Sequence, residues 1–324
     1  MKKITPVFIF SLPRSGSTLL QKMLASHDQI SSVSEPWILL PIASFVDVKN
    51  LDIFTNYSHL HTRLAIDQFI KNLPEKEDSL YKEMHDFIER LYSLASSPGA
   101  FFFVDKTPRY YLIIDFIAKV FPEAKFIFLV RNPLDILSSI LTTWGGGKLH
   151  ITHWAVDLFR GPFCLEEGYR KYKERSIVLH YHDLIQSPEI SMQKLSGYLG
   201  VKFSALMISN WSNQQFAGDM GDVKIKSKSV LETKSLGQWK RILNTHIRRR
   251  FASWYINYLG NDVINIFGDD ILTFRKELKE LPCSWKNTVI DTADLLTAVL
   301  GRFFLIKVLK NQRRRGIWKA ELLG

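Results

Sequence analysis

The segment that decides the fold reads VFIFSLPRSGSTLL from Val7 to Leu20. It opens with an apolar, β-rich run, passes through a turn that contains Pro13 and Gly16, and continues into apolar residues at helical spacing. A strand buried on both faces has this composition, and the start of a following helix presents backbone N–H groups that can bind an anion. The segment therefore predicts a phosphate-binding loop between the first strand and the first helix.

Each residue type in the loop has a physical role in binding an anion. Arg14 supplies a fixed positive charge, and Gly16 lets the backbone approach closely because it lacks a Cβ atom. The backbone N–H groups of the loop, which includes Ser15, add hydrogen-bond donors, and so do the hydroxyls of Ser17 and Thr18. A P-loop kinase or phosphotransferase is an alternative function. It would need the lysine of the Gly-x-x-x-x-Gly-Lys-Ser/Thr signature, which this loop lacks.

Three further apolar runs resemble the first one. They span Phe101–Val104, Phe126–Val130 and Ile177–His180, and helical patterns lie between them, for example over Asp115–Phe121. Strands that alternate with helices are typical of a parallel sheet. We predict an α/β, P-loop-like three-layer fold in which a central parallel β-sheet is flanked by helices.

A second anion site is predicted where the apolar run Phe126–Val130 ends. Phe126–Val130 leads directly into Arg131, and Ser139 follows eight residues later inside a predicted helix. The carboxyl ends of parallel strands share one edge of the sheet, so Arg131 and Arg14 should face the same crevice. A nucleotide with phosphates at both ends of its ribose needs two such sites. A structural ion pair between Arg131 and Asp135 is the alternative.

The bulk composition limits the functional class. The chain has 324 residues, 46% of them hydrophobic, with a net charge of +11 and two cysteines. These values fit a globular α/β protein with anionic ligands, and two separated thiols predict a cytoplasmic location. The apolar start is too short for a signal peptide, and charged residues interrupt the apolar stretch Val289–Leu309, so we predict no transmembrane segment.

The two anion-binding segments together resemble the sulfotransferase family that uses 3′-phosphoadenosine 5′-phosphosulfate (PAPS) as donor. The loop at residues 11–20 is similar to the segment with which that family cradles the 5′-phosphosulfate, and Arg131 with Ser139 matches its 3′-phosphate site. Looser matches follow at 105–108, 181–184 and 237–240. The resemblance covers roughly residues 5–260.

The resemblance implies transfer of a sulfuryl group from PAPS to a hydroxyl or amine acceptor by in-line displacement. The opening is most similar to the tyrosylprotein branch, in which a glutamate base stands 21 residues after the loop arginine, as Glu35 does after Arg14. We therefore expect Arg14, Glu35 and Lys106 to be catalytic, with the lysine near the sulfuryl group or the acceptor. A capping or surface position for Glu35 and a surface position for Lys106 are the alternatives.

The resemblance also implies the residues that bind PAPS. They are the loop residues Arg14 to Thr18, Arg131 and Ser139, together with Tyr181 near the adenine and Lys234 on a closing loop. A position in the core is the alternative for Tyr181. We expect no metal requirement, because a sulfuryl group carries less charge than the terminal phosphoryl group of a nucleotide.

The domain organisation and partners follow from the same observations. We predict a sulfotransferase domain over 1–270, with acceptor-binding or lid insertions around 41–98 and 145–235, and a helical basic extension over 271–324. A small molecule, glycan, lipid or peptide can be the acceptor, and no nucleic-acid partner is expected. The basic C-terminus fits a solvated helix end or peripheral contact with an anionic membrane. A non-catalytic basic protein that binds anions is the remaining alternative.

Overall fold

A computed structural model describes residues 3–46, 66–149, 151–216, 231, 233–285 and 288–296. Within these ranges, five strands form one sheet: β1 (Thr5–Phe10), β2 (Ile30–Ser32), β3 (Phe102–Asp105), β4 (Lys125–Val130) and β5 (Ser176–His180). Their order across the sheet is β2-β3-β1-β4-β5, and every neighbouring pair is parallel. The predicted α/β fold with a central parallel sheet is confirmed.

Helices cover both faces of the sheet and continue beyond it. They are α1 (Ser17–Ala25), α2 (Leu39–Val46), α3 (Glu77–Ala95), α4 (Ile114–Val120), α5 (Pro133–Thr143), α6 (Gly161–Lys171), α7 (Tyr181–Gln186), α8 (Pro188–Leu199), α9 (Leu206–Ser209), α10 (Trp239–Ile242), α11 (His246–Ile266) and α12 (Ile271–Glu280). Helical residues also occupy 66–70 and 288–296. Among the described residues, none of the helices has the length and apolar character needed to cross a membrane.

The two faces of the sheet pack into separate apolar layers, because side chains alternate along each strand. On one face, Phe8 and Phe10 of β1 meet Phe126 and Phe128 of β4, and the ring centroids of Phe10 and Phe126 are 5.1 Å apart. The opposite face is built from the intervening residues Val7, Ile9, Ile127 and Leu129, which pack with α1, α7 and α8. Burial on both faces explains why these strands are unbroken apolar runs in the sequence.

The strand order creates a crevice between β1 and β4. The chain leaves β1 through α1 toward β2 on one side, and it leaves β4 through α5 and α6 toward β5 on the other. Open α/β sheets bind ligands at the carboxyl ends of strands where the connections diverge in this way. Arg14 and Arg131 follow these two strands, so the topology brings both to the crevice.

The strand β2 was not predicted, because it has three residues and ends in two serines. It pairs with β3 at the edge of the sheet, with Ile30 opposite Phe102. The Ser32 hydroxyl donates a hydrogen bond to the Val104 carbonyl oxygen over 2.7 Å. This short strand matters for the site because the chain passes from it directly to Glu35.

A buried ion pair joins α11 to the helical residues 288–296. The Arg248 guanidinium donates from Nε and Nη2 to the Asp291 carboxylate over 2.8 and 2.9 Å, and Nη2 also donates to the Gly147 carbonyl oxygen over 2.5 Å. Both side chains are buried. The described part of the predicted C-terminal extension thus packs against residues of the predicted domain, whose boundaries stay a prediction.

Candidate active site

The loop between β1 and α1 has an unusual backbone. Gly16, the N-cap residue of α1, has a φ of 88°, and Arg14 has a φ of 68°. A residue other than glycine in this left-handed region is uncommon and often marks a functional site. Ser15 is fully buried, and its hydroxyl oxygen has no hydrogen-bond partner among the described residues. An orphaned hydroxyl beside the first N–H groups of a helix suits a bound anion.

Tyr181, the first residue of α7, packs directly on this loop. A Cβ atom at position 16 would lie 2.3 Å from its ring, so contact as well as backbone conformation requires Gly16. The Arg131 guanidinium lies over the same ring, 4.6 Å from the centroid, and the Tyr181 hydroxyl is 3.0 Å from the Ser235 hydroxyl oxygen. Tyr181 therefore lies between the loop, Arg131 and a segment from much later in the chain.

The two predicted anion-binding arginines adjoin each other. Arg131 donates from Nη1 to the Arg14 carbonyl oxygen over 2.7 Å and from Nη2 to the Ser235 carbonyl oxygen over 2.6 Å. Arg14 donates from Nε to the Ser139 hydroxyl over 3.2 Å, and its guanidinium lies 5.2 Å from the Trp144 ring centroid. Phosphate oxygens are stronger acceptors for guanidinium groups than these neutral oxygens. The structure thus brings Arg14, Arg131 and Ser139 together.

Asp135, the alternative partner of Arg131, binds the backbone of a different segment. Its carboxylate accepts hydrogen bonds from the N–H groups of Gly237 and Trp239 over 2.9 and 3.1 Å. Burial raises the pKa of the Asp135 carboxyl, while Arg131 and these N–H groups act to lower it. The Gly-Gln-Trp segment is therefore fixed to α5 through Asp135, one turn after Arg131.

Lys234 lies on the short 3₁₀ turn Thr233–Ser235, and its side chain is exposed. Its neighbour Ser235 makes the described contacts with Arg131 and Tyr181. Ser235 was not predicted from the sequence, because a serine in a polar loop carries no signal of its own. Its position between Lys234 and the Gly-Gln-Trp segment is the one clue.

Glu35 and Lys106 form a buried ion pair beside the loop. Lys106 donates from Nζ to Oε1 of Glu35 and, over 3.2 Å, to the Thr18 hydroxyl. The Trp37 indole N–H donates to Oε2 of Glu35 over 3.2 Å. Both charged side chains are buried, so neither occupies the surface position considered from the sequence. A proton acceptor and a fixed positive charge thus stand next to the start of α1.

Behind this pair, a second buried carboxylate holds the end of β3. Asp105 accepts hydrogen bonds from the hydroxyls of Tyr92, Tyr110 and Thr107 over 2.7, 3.1 and 2.9 Å. Burial raises the pKa of Asp105 to about 6, although these hydrogen bonds act to lower it. The Thr107 hydroxyl also accepts a hydrogen bond from the Trp37 backbone N–H over 3.4 Å. The network links β3 to the segment that carries Glu35, and no sequence pattern indicated its tyrosines.

One described group of side chains could hold a metal ion, and it contains none of the predicted site residues. It consists of His85, Asp86 and Glu89 on α3. His85 instead makes hydrogen bonds to carboxylates, with Nε2 3.0 Å from Oε1 of Glu123. Burial lowers the pKa of His85, but the neighbouring carboxylates outweigh this effect and raise it overall.

Comparison with known proteins adds family information to this geometry. A model described as the sulfotransferase family matches residues 6–205. Nodulation protein NoeE of Sinorhizobium fredii is 24% identical over 264 residues, which cover 72% of this chain and 59% of that protein. Protein-tyrosine sulfotransferase 2 of Gallus gallus is 23% identical over 234 residues, which cover 69% of this chain and 58% of that protein. The chain thus spans 59% and 58% of the length of these two relatives.

A solved structure supports the fold. The sulfotransferase domain of the Synechococcus PCC 7002 olefin synthase has a TM-score of 0.50 to this chain at 22% identity, covering 83% of this chain and 95% of that one. The region matched by the family model contains the loop, Glu35, Lys106, Arg131 and Ser139. Since that region makes up more than half of the molecule, the chain belongs to the sulfotransferase family.

Proposed function

We propose that this protein transfers a sulfuryl group from PAPS to a hydroxyl or amine acceptor by in-line displacement. One observation carries the proposal: the buried Glu35–Lys106 pair contacts the phosphate loop through Thr18, and Arg131 contacts the same loop from the opposite side. A proton acceptor and two anion-binding groups therefore converge on one loop. Membership of the sulfotransferase family supports sulfuryl transfer as the chemistry.

In this proposal the donor lies along the crevice between β1 and β4. The first N–H groups of α1 and the hydroxyls of Ser15, Ser17 and Thr18 bind the 5′-phosphosulfate. Arg131 and Ser139 bind the 3′-phosphate, whose oxygens replace the neutral carbonyl oxygens that Arg131 now contacts. Tyr181 offers a ring to the adenosine, and the exposed Lys234 adds positive charge beside Ser235.

The reaction needs a proton acceptor on the side of the acceptor molecule and positive charge on the side of the leaving phosphate. The acceptor oxygen or nitrogen forms a bond to sulfur while the bond from sulfur to the bridging phosphate oxygen breaks. Glu35 takes the proton of the acceptor group. Arg14 and the N–H groups of the loop stabilise the charge that develops on the leaving phosphate, which departs as adenosine 3′,5′-bisphosphate. Lys106 contacts the sulfuryl group or the acceptor.

Phosphoryl transfer has less support from the loop. The nucleotide-triphosphatase signature places a lysine directly after the glycine that starts the helix, whereas Ser17 holds that position here. Lys106 approaches Thr18 from β3 instead. A non-catalytic role in anion binding has less support, because the buried Glu35 carboxylate places negative charge beside a loop that would only have to bind an anion.

The test combines labelled PAPS with a direct measurement of nucleotide binding. We expect transfer of label from PAPS to a component of a cell extract, and saturable heat on titration with adenosine 3′,5′-bisphosphate. Arg14→Ala should abolish transfer, whereas Arg170→Ala, an exposed arginine on α6, should leave it unchanged. Absence of both transfer and nucleotide binding would contradict the proposal, and magnesium-dependent turnover of ATP would favour a phosphotransferase.

A further inference from the structure

A line of side chains runs along the outer side of α11, and all of them except the half-exposed His246 are exposed. His246, Arg250, Trp254 and Tyr258 recur every four residues, so they lie along one stripe of the helix. Trp285 extends the line past His246 at its N-terminal end. Trp254 is 52% exposed and Trp285 is 72% exposed. We call these five residues the α11 ridge.

Contacts between neighbouring rings fix the ridge in place. The His246 and Trp285 ring centroids are 4.2 Å apart, and those of Trp254 and Tyr258 are 5.5 Å apart. The Tyr258 hydroxyl donates to the Phe159 carbonyl oxygen over 3.0 Å. Twelve residues of helix span about 18 Å, so the ridge is a long, ordered row of aromatic surface.

The charge around the ridge is positive. Within residues 246–258 the positive charge at the surface comes from Arg249 and Arg250, there is no Asp or Glu, and Arg248 is buried and paired with Asp291. Arg250 is exposed, and Arg249 donates to the Leu281 carbonyl oxygen over 3.3 Å while remaining half-exposed.

We propose that the α11 ridge docks on a membrane surface that contains anionic phospholipid. Tryptophan and tyrosine combine an apolar ring with a polar group, which suits them to the headgroup level of a bilayer. The exposed Arg250 and the half-exposed Arg249 add attraction to acidic lipids. Aromatic surface alone would fit many partners, but its coincidence with this charge matches an anionic bilayer. The inference does not depend on the sulfuryl-transfer activity.

The test is cosedimentation of the full chain with vesicles of phosphatidylcholine, with and without phosphatidylserine. We expect binding to the mixed vesicles only. Trp254→Ala combined with Tyr258→Ala should weaken it about tenfold, because two rings no longer enter the headgroup layer. Arg250→Gln should weaken it about fivefold through the loss of one charge.

The matched control is Phe87→Ala combined with Leu94→Ala on α3, which removes apolar side chains that are 56% and 73% exposed. This variant should bind as the unchanged protein does, and thermal unfolding should show that every variant folds. The proposal is overturned if the unchanged protein does not bind anionic vesicles, or if the α3 and ridge variants lose binding equally.

Three further outcomes would also overturn the proposal. Binding to heparin without binding to vesicles would identify a soluble polyanion as the partner. Self-association that the ridge variants abolish would identify a second copy of the chain. If vesicle binding is lost only when Arg313, Arg314 and Arg315 are changed to Gln, the membrane-binding residues are those at the end of the chain and not the α11 ridge.

Discussion

The cationic groups on the two sides of β1, at the ends of β4 and β3, are held in different ways. On the β4 side, Arg131 donates to the backbone carbonyl oxygens of Arg14 and Ser235. On the β3 side, Lys106 is paired with the Glu35 carboxylate. Neutral carbonyl acceptors can be exchanged for phosphate oxygens, whereas a buried ion pair resists disruption. The β4 side should therefore govern the affinity for the donor, and the β3 side should govern turnover.

The sharpest test of this division is Glu35→Gln. Loss of a general base should reduce kcat about a thousandfold, because the acceptor proton has no acceptor in the transition state. Binding of adenosine 3′,5′-bisphosphate should be unchanged, as measured by calorimetry beside initial rates. Glu167→Gln on the exposed side of α6 is the matched control. Full turnover by the Glu35 variant would show that another group is the base.

The second test concerns the support of the β3 side. Burial raises the pKa of Asp105 from 3.8 to about 6. The folded state therefore binds the proton more tightly than the unfolded state, and Asp105 destabilises the fold as the pH rises between these values. The difference between the two pKa values lowers the free energy of unfolding by about 3 kcal/mol. This destabilisation is fully present above pH ~6 and absent below pH ~4.

Asp105→Asn should remove this dependence. The free energy of unfolding of the variant, minus that of the unchanged protein, should increase by about 3 kcal/mol from pH ~4 to pH ~7. Denaturant titrations at several pH values measure it. A difference that stays constant with pH would show that Asp105 titrates normally in the folded protein.

A third test addresses the β4 side. Arg131→Ala removes charge-assisted hydrogen bonds worth about 2 kcal/mol, so the Kd for adenosine 3′,5′-bisphosphate should increase about thirtyfold. At saturating donor, kcat should change little, in contrast to the Glu35 variant. Calorimetry and initial rates separate the two effects. A loss of kcat with unchanged Kd would remove the distinction between the two sides.

The smallest expected effect is that of Asp135→Asn. This change leaves an amide N–H group facing the backbone N–H of Gly237 or Trp239, which loosens the segment that carries Ser235. We expect about a tenfold higher KM for PAPS with little change in kcat, and partial recovery in Asp135→Glu. Faster proteolysis around residues 233–239 would accompany the higher KM. An unchanged KM would show that this segment does not position Arg131.

The proximity of Arg14 and Arg131 was predictable because strand ends in a parallel sheet share an edge. The Glu35–Lys106 contact was not, because it depends on how β2 pairs with β3, and β2 is too short and polar to recognise in the sequence. The contact between Ser235 and Arg131 could not be predicted from the sequence for a related reason. This contact joins residues 104 apart in the chain, and local patterns carry no information on such pairs.

The Arg248–Asp291 pair bears on how this protein can be recombined in evolution. A breakpoint anywhere between the two residues would leave a guanidinium buried without its counter-charge, at a cost of about 3–5 kcal/mol. Many domains have a total stability of only about 5–15 kcal/mol, so few such hybrids would stay folded. We therefore expect the segment around Asp291 to be inherited together with the sheet and not to be exchanged independently of it by recombination.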